Sequence, residues 1–307
     1  MPFEPGSFPV PVPHPMGGVI SAAFDATGAY LIAGHRVFTD KGSFDLDEPS
    51  RETEVLRTIA HPTLPLVARL TRSDARLELV DLRTRVRKPV DGVATDAVFS
   101  RTGQHLAVVR PESSQVRLID LDGRQTGALE FPASKVTSNE PALCFSPDDK
   151  ALTVFPDHNT RVVLPLLGGA AQTTALPPVK FSQWTVNRAL PLGADTFLFD
   201  FSAWRLIRED GSVAWKGKGD HNGAVVLPGQ ASIALIRMVK RTIVFLDVAT
   251  GKEQAVLKIK PAFAPLGFAC TSTLAAYTTT GGLEVVSLPP ELSSAAKRPK
   301  PKTTKKR

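Results

Sequence analysis

Ala97-Val98-Phe99-Ser100-Arg101-Thr102-Gly103-Gln104-His105-Leu106-Ala107-Val108, followed after a gap by Val116-Arg117-Leu118-Ile119-Asp120-Leu121-Asp122-Gly123, is the plainest copy of a unit that recurs about every forty residues. It reads as strand, tight turn, strand, short loop, strand, with no amphipathic helix between copies. Repeats of that length built from short strands are the sequence form of a radial array of small sheets, a β-propeller. The turn residues supply preset or positive φ, while the flanking β-branched and aromatic residues suit a half-buried pleat. Phe24-Asp25-Ala26-Thr27-Gly28 before Tyr30-Leu31, and Phe145-Ser146-Pro147-Asp148-Asp149 before Leu152-Thr153, repeat the inner part.

A closing strand recurs as Val37-Phe38-Thr39, Leu79-Val80-Asp81, Leu118-Ile119-Asp120, Val163-Leu164-Pro165, Leu206-Ile207-Arg208, Phe245-Leu246-Asp247 and Val285-Val286-Ser287. Counted on the third residue of each, the intervals are 42, 39, 45, 43, 39 and 40, so one element recurs per unit while loop lengths vary. The stretches 59–68, 190–199, 227–235 and 268–277 keep only the apolar pattern of the inner hairpin. The expected fold is all-β, a propeller of seven four-stranded blades over residues 18–290. A proline-rich segment, 1–17, precedes it and a disordered basic tail, 291–307, follows it.

Over residues 18–290 the chain resembles the WD-repeat and related bacterial propeller families in architecture. Leu79-Val80-Asp81-Leu82, Leu118-Ile119-Asp120-Leu121 and Phe245-Leu246-Asp247-Val248 stand where the Trp-Asp dipeptide of that family would. The dipeptide itself occurs in no unit, and the Gly-His pair occurs once, as Gly34-His35. The resemblance implies a rigid, noncatalytic scaffold for a protein partner, with enzymes a minority.

With 307 residues and 42% hydrophobic content the chain can bury a large core as one monomeric body. No window is apolar enough for a membrane span, and the start lacks the pattern of a secretory signal. That start carries Pro2, Pro5, Pro9, Pro11, Pro13 and Pro15, which favours an extended segment able to lie along an edge strand. Cys144 and Cys270 fall in units three apart, where a disulfide is geometrically disfavoured; two thiols suit the cytoplasm.

Lys297, Arg298, Lys300, Lys302, Lys305, Lys306 and Arg307 are seven cations in the last eleven residues; subtracted from 37, they leave 30 Lys plus Arg against 30 Asp plus Glu. The body is formally neutral, and the basicity belongs to a tail that cannot pack a core. Such a tail offers salt-sensitive attraction to nucleic acid or another polyanion, without aromatic residues for base stacking.

Within the body, Arg83, Arg85 and Arg87 alternate with Thr84 and Val86. In an extended segment they would share one side and meet an acidic partner or phosphate; the alternative is an exposed loop. Trp184, Trp204 and Trp215 lie in the fifth unit with Phe197, Phe199 and Phe201, a composition that fits sheet-to-sheet packing. Trp204, beside Arg205, is the candidate binding anchor should one reach a loop face.

No Gly-x-Ser-x-Gly, His-Glu-x-x-His, phosphate-loop or Cys-x-x-Cys pattern occurs. Asp157-His158-Asn159 and Asp220-His221-Asn222 offer oxygen and nitrogen ligands of the kind a metal-dependent propeller hydrolase or lyase collects from its loops. Asx turns explain both triplets without a metal. No catalytic residue and no cofactor are assigned, and a protein partner is expected.

Overall fold

The structure is a computed structural model that describes residues 3–10, 21–47, 55–71, 76–110, 113–132, 141–157, 159–178, 188–199, 202–221, 223–237, 239–259, 267–279 and 282–293. Gly6–Pro9 forms β1. Blade 1 follows as Ala22–Phe24, Leu31–Ala33, Arg36–Thr39 and Gly42–Asp45 (β2 to β5), and blade 2 as Val55–Ala60, Leu66–Thr71, Arg76–Asp81 and Arg87–Val93 (β6 to β9). Blade 3 comprises Asp96–Phe99, Leu106–Val109, Gln115–Ile119 and Gln125–Glu130 (β10 to β13), and blade 4 Ala142–Phe145, Ala151–Asp157, Thr160–Pro165 and Gln172–Ala175 (β14 to β17). Blade 5 comprises Arg188–Leu192, Asp195–Phe199, Ala203–Ile207 and Val213–Lys218 (β18 to β21), and blade 6 Gly223–Val226, Ser232–Arg237, Thr242–Asp247 and Glu253–Lys258 (β22 to β25). Phe268–Cys270, Leu274–Thr279 and Gly282–Ser287 (β26 to β28) begin blade 7, and a helical turn, Pro290–Ser293 (α1), ends the described chain.

Seven four-stranded antiparallel sheets result. The innermost strands neighbour one another in sequence order, and β26 returns to β2, so the sheets form a closed ring. The chain is a seven-bladed β-propeller. Each third strand is the closing strand recognised in the sequence, and it carries adjacent apolar residues that point to opposite faces because another blade covers each face. In β24, Ile243, Val244, Phe245 and Leu246 are all buried. The fourth strand lies at the rim; β25 alternates between exposed and half-buried residues, as a strand with one covered face should.

The core is divided among seven apolar clusters, one for each blade-to-blade interface. Stability is therefore distributed around the ring, through burial worth roughly 25 cal/mol per Å². The seventh interface needs the beginning of the chain. β1 pairs antiparallel with β28, from Gly6↔Val285 to Pro9↔Gly282, and completes blade 7 as its outer strand. Proline-rich sequence is compatible with this place, since an edge strand does not use every N–H. The ring thus takes its last strand from residues upstream of 18. Phe3 packs edge-on against Phe8 and Phe24, with ring centroids 6.3 and 5.9 Å away. Among the described residues no helix is long and apolar enough to cross a membrane.

Candidate functional site

Within each of blades 1 to 6 the first-to-second and third-to-fourth strand turns lie at the same end, so the ring presents a face made of short turns. Those turns are closed by their own side chains. Asp25 accepts the amides of Thr27 and Tyr30 at 3.0 and 2.8 Å, Asp120 those of Asp122 and Arg124 at 2.8 and 2.9 Å, and Asp247 that of Thr250 at 2.8 Å. Neighbouring blades are also stitched together here. Asp149 accepts the amides of Arg101 and Thr102 at 2.8 Å each, and the Trp215 indole donates to the Val248 carbonyl at 2.8 Å.

His61 is a further stitch. Its Nδ1 accepts the amides of Thr63 and Leu64 at 3.1 and 2.9 Å, which leaves the proton on Nε2 to donate to the Gly103 carbonyl at 3.1 Å. Burial lowers the His61 pKa, with the Gly103 carbonyl opposing.

The arginine run of blade 2 departs from an extended segment. Residues 82–86 form the turn between β8 and β9, because Asp81 takes the Val86 carbonyl on its amide at 3.0 Å and the Arg85 amide on its carbonyl at 2.8 Å. Asp81 Oδ1 also accepts the amides of Arg83 and Thr84, at 2.9 and 2.8 Å. The three guanidiniums consequently do not share a side. Arg83 and Arg85 are exposed at the turn. Arg85 lies over the Phe44 ring at 4.1 Å. Arg87 belongs instead to a square of charges: it pairs with Asp47 and Glu78, and the same two carboxylates hold the fully buried Arg69 at 2.8 Å each. Burial alone would raise the Asp47 pKa, but Arg69 and Arg87 outweigh it and hold the carboxyl low.

Trp204 and Arg205 both fall in the interior of the propeller. Trp204 is 6% exposed and lies in the cluster between blades 5 and 6, edge-on to His221 with ring centroids 4.9 Å apart. Adjacent residues of a strand point to opposite faces. Arg205, 0% exposed, therefore faces blade 4, where Nη1 donates to the Pro177 carbonyl at 2.8 Å. Burial lowers its pKa to about 10, with Asp157 raising it. Arg117 makes the equivalent connection from β12 to the Asp91 carbonyl of blade 2. Buried arginines thus tie blades to their predecessors in a ring without Trp-Asp dipeptides.

The two Asp-His-Asn triplets differ. His221 is fully buried, its Nδ1 donating to the Gly219 carbonyl at 3.2 Å. Asp157 accepts the Asn159 amide at 2.8 Å and closes its own turn, whereas Asp220 accepts the Val239 amide at 2.9 Å and joins the connection before β22 to the one between β23 and β24. His158 lies outside the described residues, as do Trp184 and the tail cations Lys297, Arg298, Lys300, Lys302, Lys305, Lys306 and Arg307. Among the described residues no group of three or more His, Cys, Asp or Glu side chains is placed to hold a metal ion.

One grouping had no local signal in the sequence. The inner strands bring Arg57 of β6 and Arg188 of β18 to the buried Asp96 of β10: Arg57 Nη1 pairs with Oδ1, and Arg188 Nη1 lies 3.8 Å from it. These residues come from blades 2, 3 and 5, so only closure of the ring unites them.

Neither a family model nor a curated protein matches the sequence. Among solved structures, hydrazine synthase of Kuenenia stuttgartiensis is similar, with a TM-score of 0.67 and 11% identity over 90% of this chain and 97% of that one. At that identity the likeness is one of fold.

Proposed function

We propose that the protein is a noncatalytic propeller scaffold that holds a protein partner on its loop faces, with the cationic stretch after residue 293 as an accessory tether. The observation that carries this reading is the construction of the turn face. Asp25, Asp81, Asp120, Asp149, Asp247 and His61 are engaged with backbone groups of their own turn or of a neighbouring blade, which fixes the course of the backbone at those turns before any partner arrives. Preorganisation of that kind lowers the ordering cost of association. Cys144 and Cys270 are both thiols in blades three apart, which fits a reducing compartment such as the cytoplasm.

Crosslinking of the full-length protein in cells, followed by mass spectrometry, tests the reading. The expected result is one recurrent partner whose crosslinks fall on turn residues and whose capture survives chelator. A purified protein that retains a stoichiometric divalent metal, and loses turnover in His221→Ala while keeping its melting temperature, would replace the scaffold with a metal-dependent hydrolase or lyase.

A further inference from the structure

Arg36 on β4 and Arg117 on β12 hold the same place in their blades: each stands two residues before the one that pairs with the start of the second strand, Phe38 with Leu31 and Ile119 with Leu106. In blade 1 the guanidinium edge formed by Nε and Nη2 is filled. The residue facing Arg36 on β5 is Asp45, whose Oδ1 and Oδ2 accept from Nε and Nη2 at 2.7 Å each. Those two N–H groups run parallel and match the two oxygens of one oxyanion. In blade 3 the residue facing Arg117 on β13 is Ala128, and the same edge lacks an acceptor. Nε and Nη2 of Arg117 are buried with no hydrogen-bond partner among the described residues.

The remainder of that guanidinium is fixed. Arg117 is 4% exposed, and its Nη1 donates to the Asp91 carbonyl of blade 2. A buried donor left without an acceptor is costly, and a charged one more so. A second cation adds to the cost. Asp91 and Gly92 are set out of the β8–β9 ladder between Val90 and Val93, and Arg110, after β11, lies against this bulge, its Nη2 2.8 Å from where a Cβ would stand on Gly92. Gly92 has a φ of 83°, and its missing side chain is the space that Arg110 occupies. Burial lowers the Arg117 pKa, Arg110 lowers it further, and Asp91 opposes both. Among the described residues no carboxylate forms an ion pair with Arg110 or Arg117. Blade 2 balances Arg69 and Arg87 with Asp47 and Glu78, whereas blade 3 gathers two arginines with no such pair.

We propose that Arg117 and Arg110 form a binding site for an oxyanion, the carboxylate or phosphate group of a small ligand, where blades 2 and 3 meet on the face opposite the short turns. The oxyanion accepts from Nε and Nη2 of Arg117, as Asp45 does from Arg36, and from Arg110 on the solvent side. Arg110 and Ala128 are both exposed, so this edge lies just beneath the surface. The site is independent of the partner surface proposed above.

Isothermal titration calorimetry of the full-length protein at fixed ionic strength, with inorganic phosphate in one arm and malonate in the other, measures the site. Saturable binding is expected in at least one arm, and the arm that binds more tightly identifies the ligand as phosphorylated or carboxylated. Arg110→Gln should weaken that binding about tenfold. Ala128→Asp sets a carboxylate opposite Arg117, as in blade 1, and should abolish binding while raising the melting temperature. Absence of binding in both arms, unchanged affinity in Arg110→Gln and Ala128→Asp, or binding that disappears on removal of residues 294–307 would each overturn the assignment. Glu112 lies outside the described residues. Binding seen in Glu112→Gln and not in the wild type would mean that the chain fills this edge with its own carboxylate, and would overturn the assignment as well.

Discussion

At the residue scale, the side chains that looked most available for binding are committed to holding blades together. Trp204 is the clearest instance, because its ring fills the space that Gly217 leaves open: a Cβ at 217 would sit 2.4 Å from the indole. Gly217→Ala is therefore expected to destabilise the protein by about 2 kcal/mol, read as a lower urea midpoint with an unchanged slope. His61 carries a pH dependence whose sign follows from its lowered pKa. The unfolded imidazole binds its proton near the ordinary value of 6.5, the folded one at lower pH, so its contribution is complete above that value and is lost as pH falls below it. Urea unfolding at about pH 8 and about pH 5 should show the midpoint dropping in the wild type and dropping less in His61→Asn. His35, also lowered chiefly by burial, moves the wild-type curve in the same direction, so the variant narrows the difference without removing it. The sequence allows Trp204 to be read as core or anchor because composition does not say which face of a strand meets a neighbouring blade. The conformation of Arg85 is equally hidden there, since alternation in residues 83–87 looks the same in a strand and in a turn.

At the element scale, what was legible is the set of strands whose surroundings leave them little choice. The third strand of each blade is covered on both faces, so its pair of adjacent apolar residues survives even where the turn residues of the inner hairpin have drifted, as in blades 5 and 6. The rim strands had no comparable signature, because a half-exposed edge tolerates almost any residue. β1 is the extreme case: its extended character could be read from its prolines, but its partner could not, since Ser7 and Glu284, which share a hydrogen bond at 2.5 Å, are 277 residues apart. This strand makes a specific demand on Gly282, where a Cβ would lie 2.2 Å from the Phe8 carbonyl oxygen. Gly282→Val should therefore displace β1 from blade 7. Hydrogen exchange followed by mass spectrometry should then show loss of protection in residues 6–9 and 282–287 while protection in blades 3 to 5 is retained.

At the scale of the whole molecule, the formally neutral body and the cationic end are separable. Removal of residues 294–307 is expected to leave the unfolding midpoint unchanged and to abolish salt-sensitive association with a single-stranded oligonucleotide; affinity that persists would place the polyanion site on the propeller. The ring, in contrast, is not separable into halves, because its first strand is also its last. While the polypeptide is being made, blades 1 to 6 have all four strands once their own residues have left the ribosome, whereas the seventh must wait for residues 282–287 to join a strand made at residues 6–9. Until then the segment containing Phe3 and Phe8 has no β28 to lie against. That apolar segment therefore stays uncovered until residue 282 has been made, and a pause in translation before it prolongs the period in which a chaperone, or an identical neighbour on the same polysome, can capture the segment.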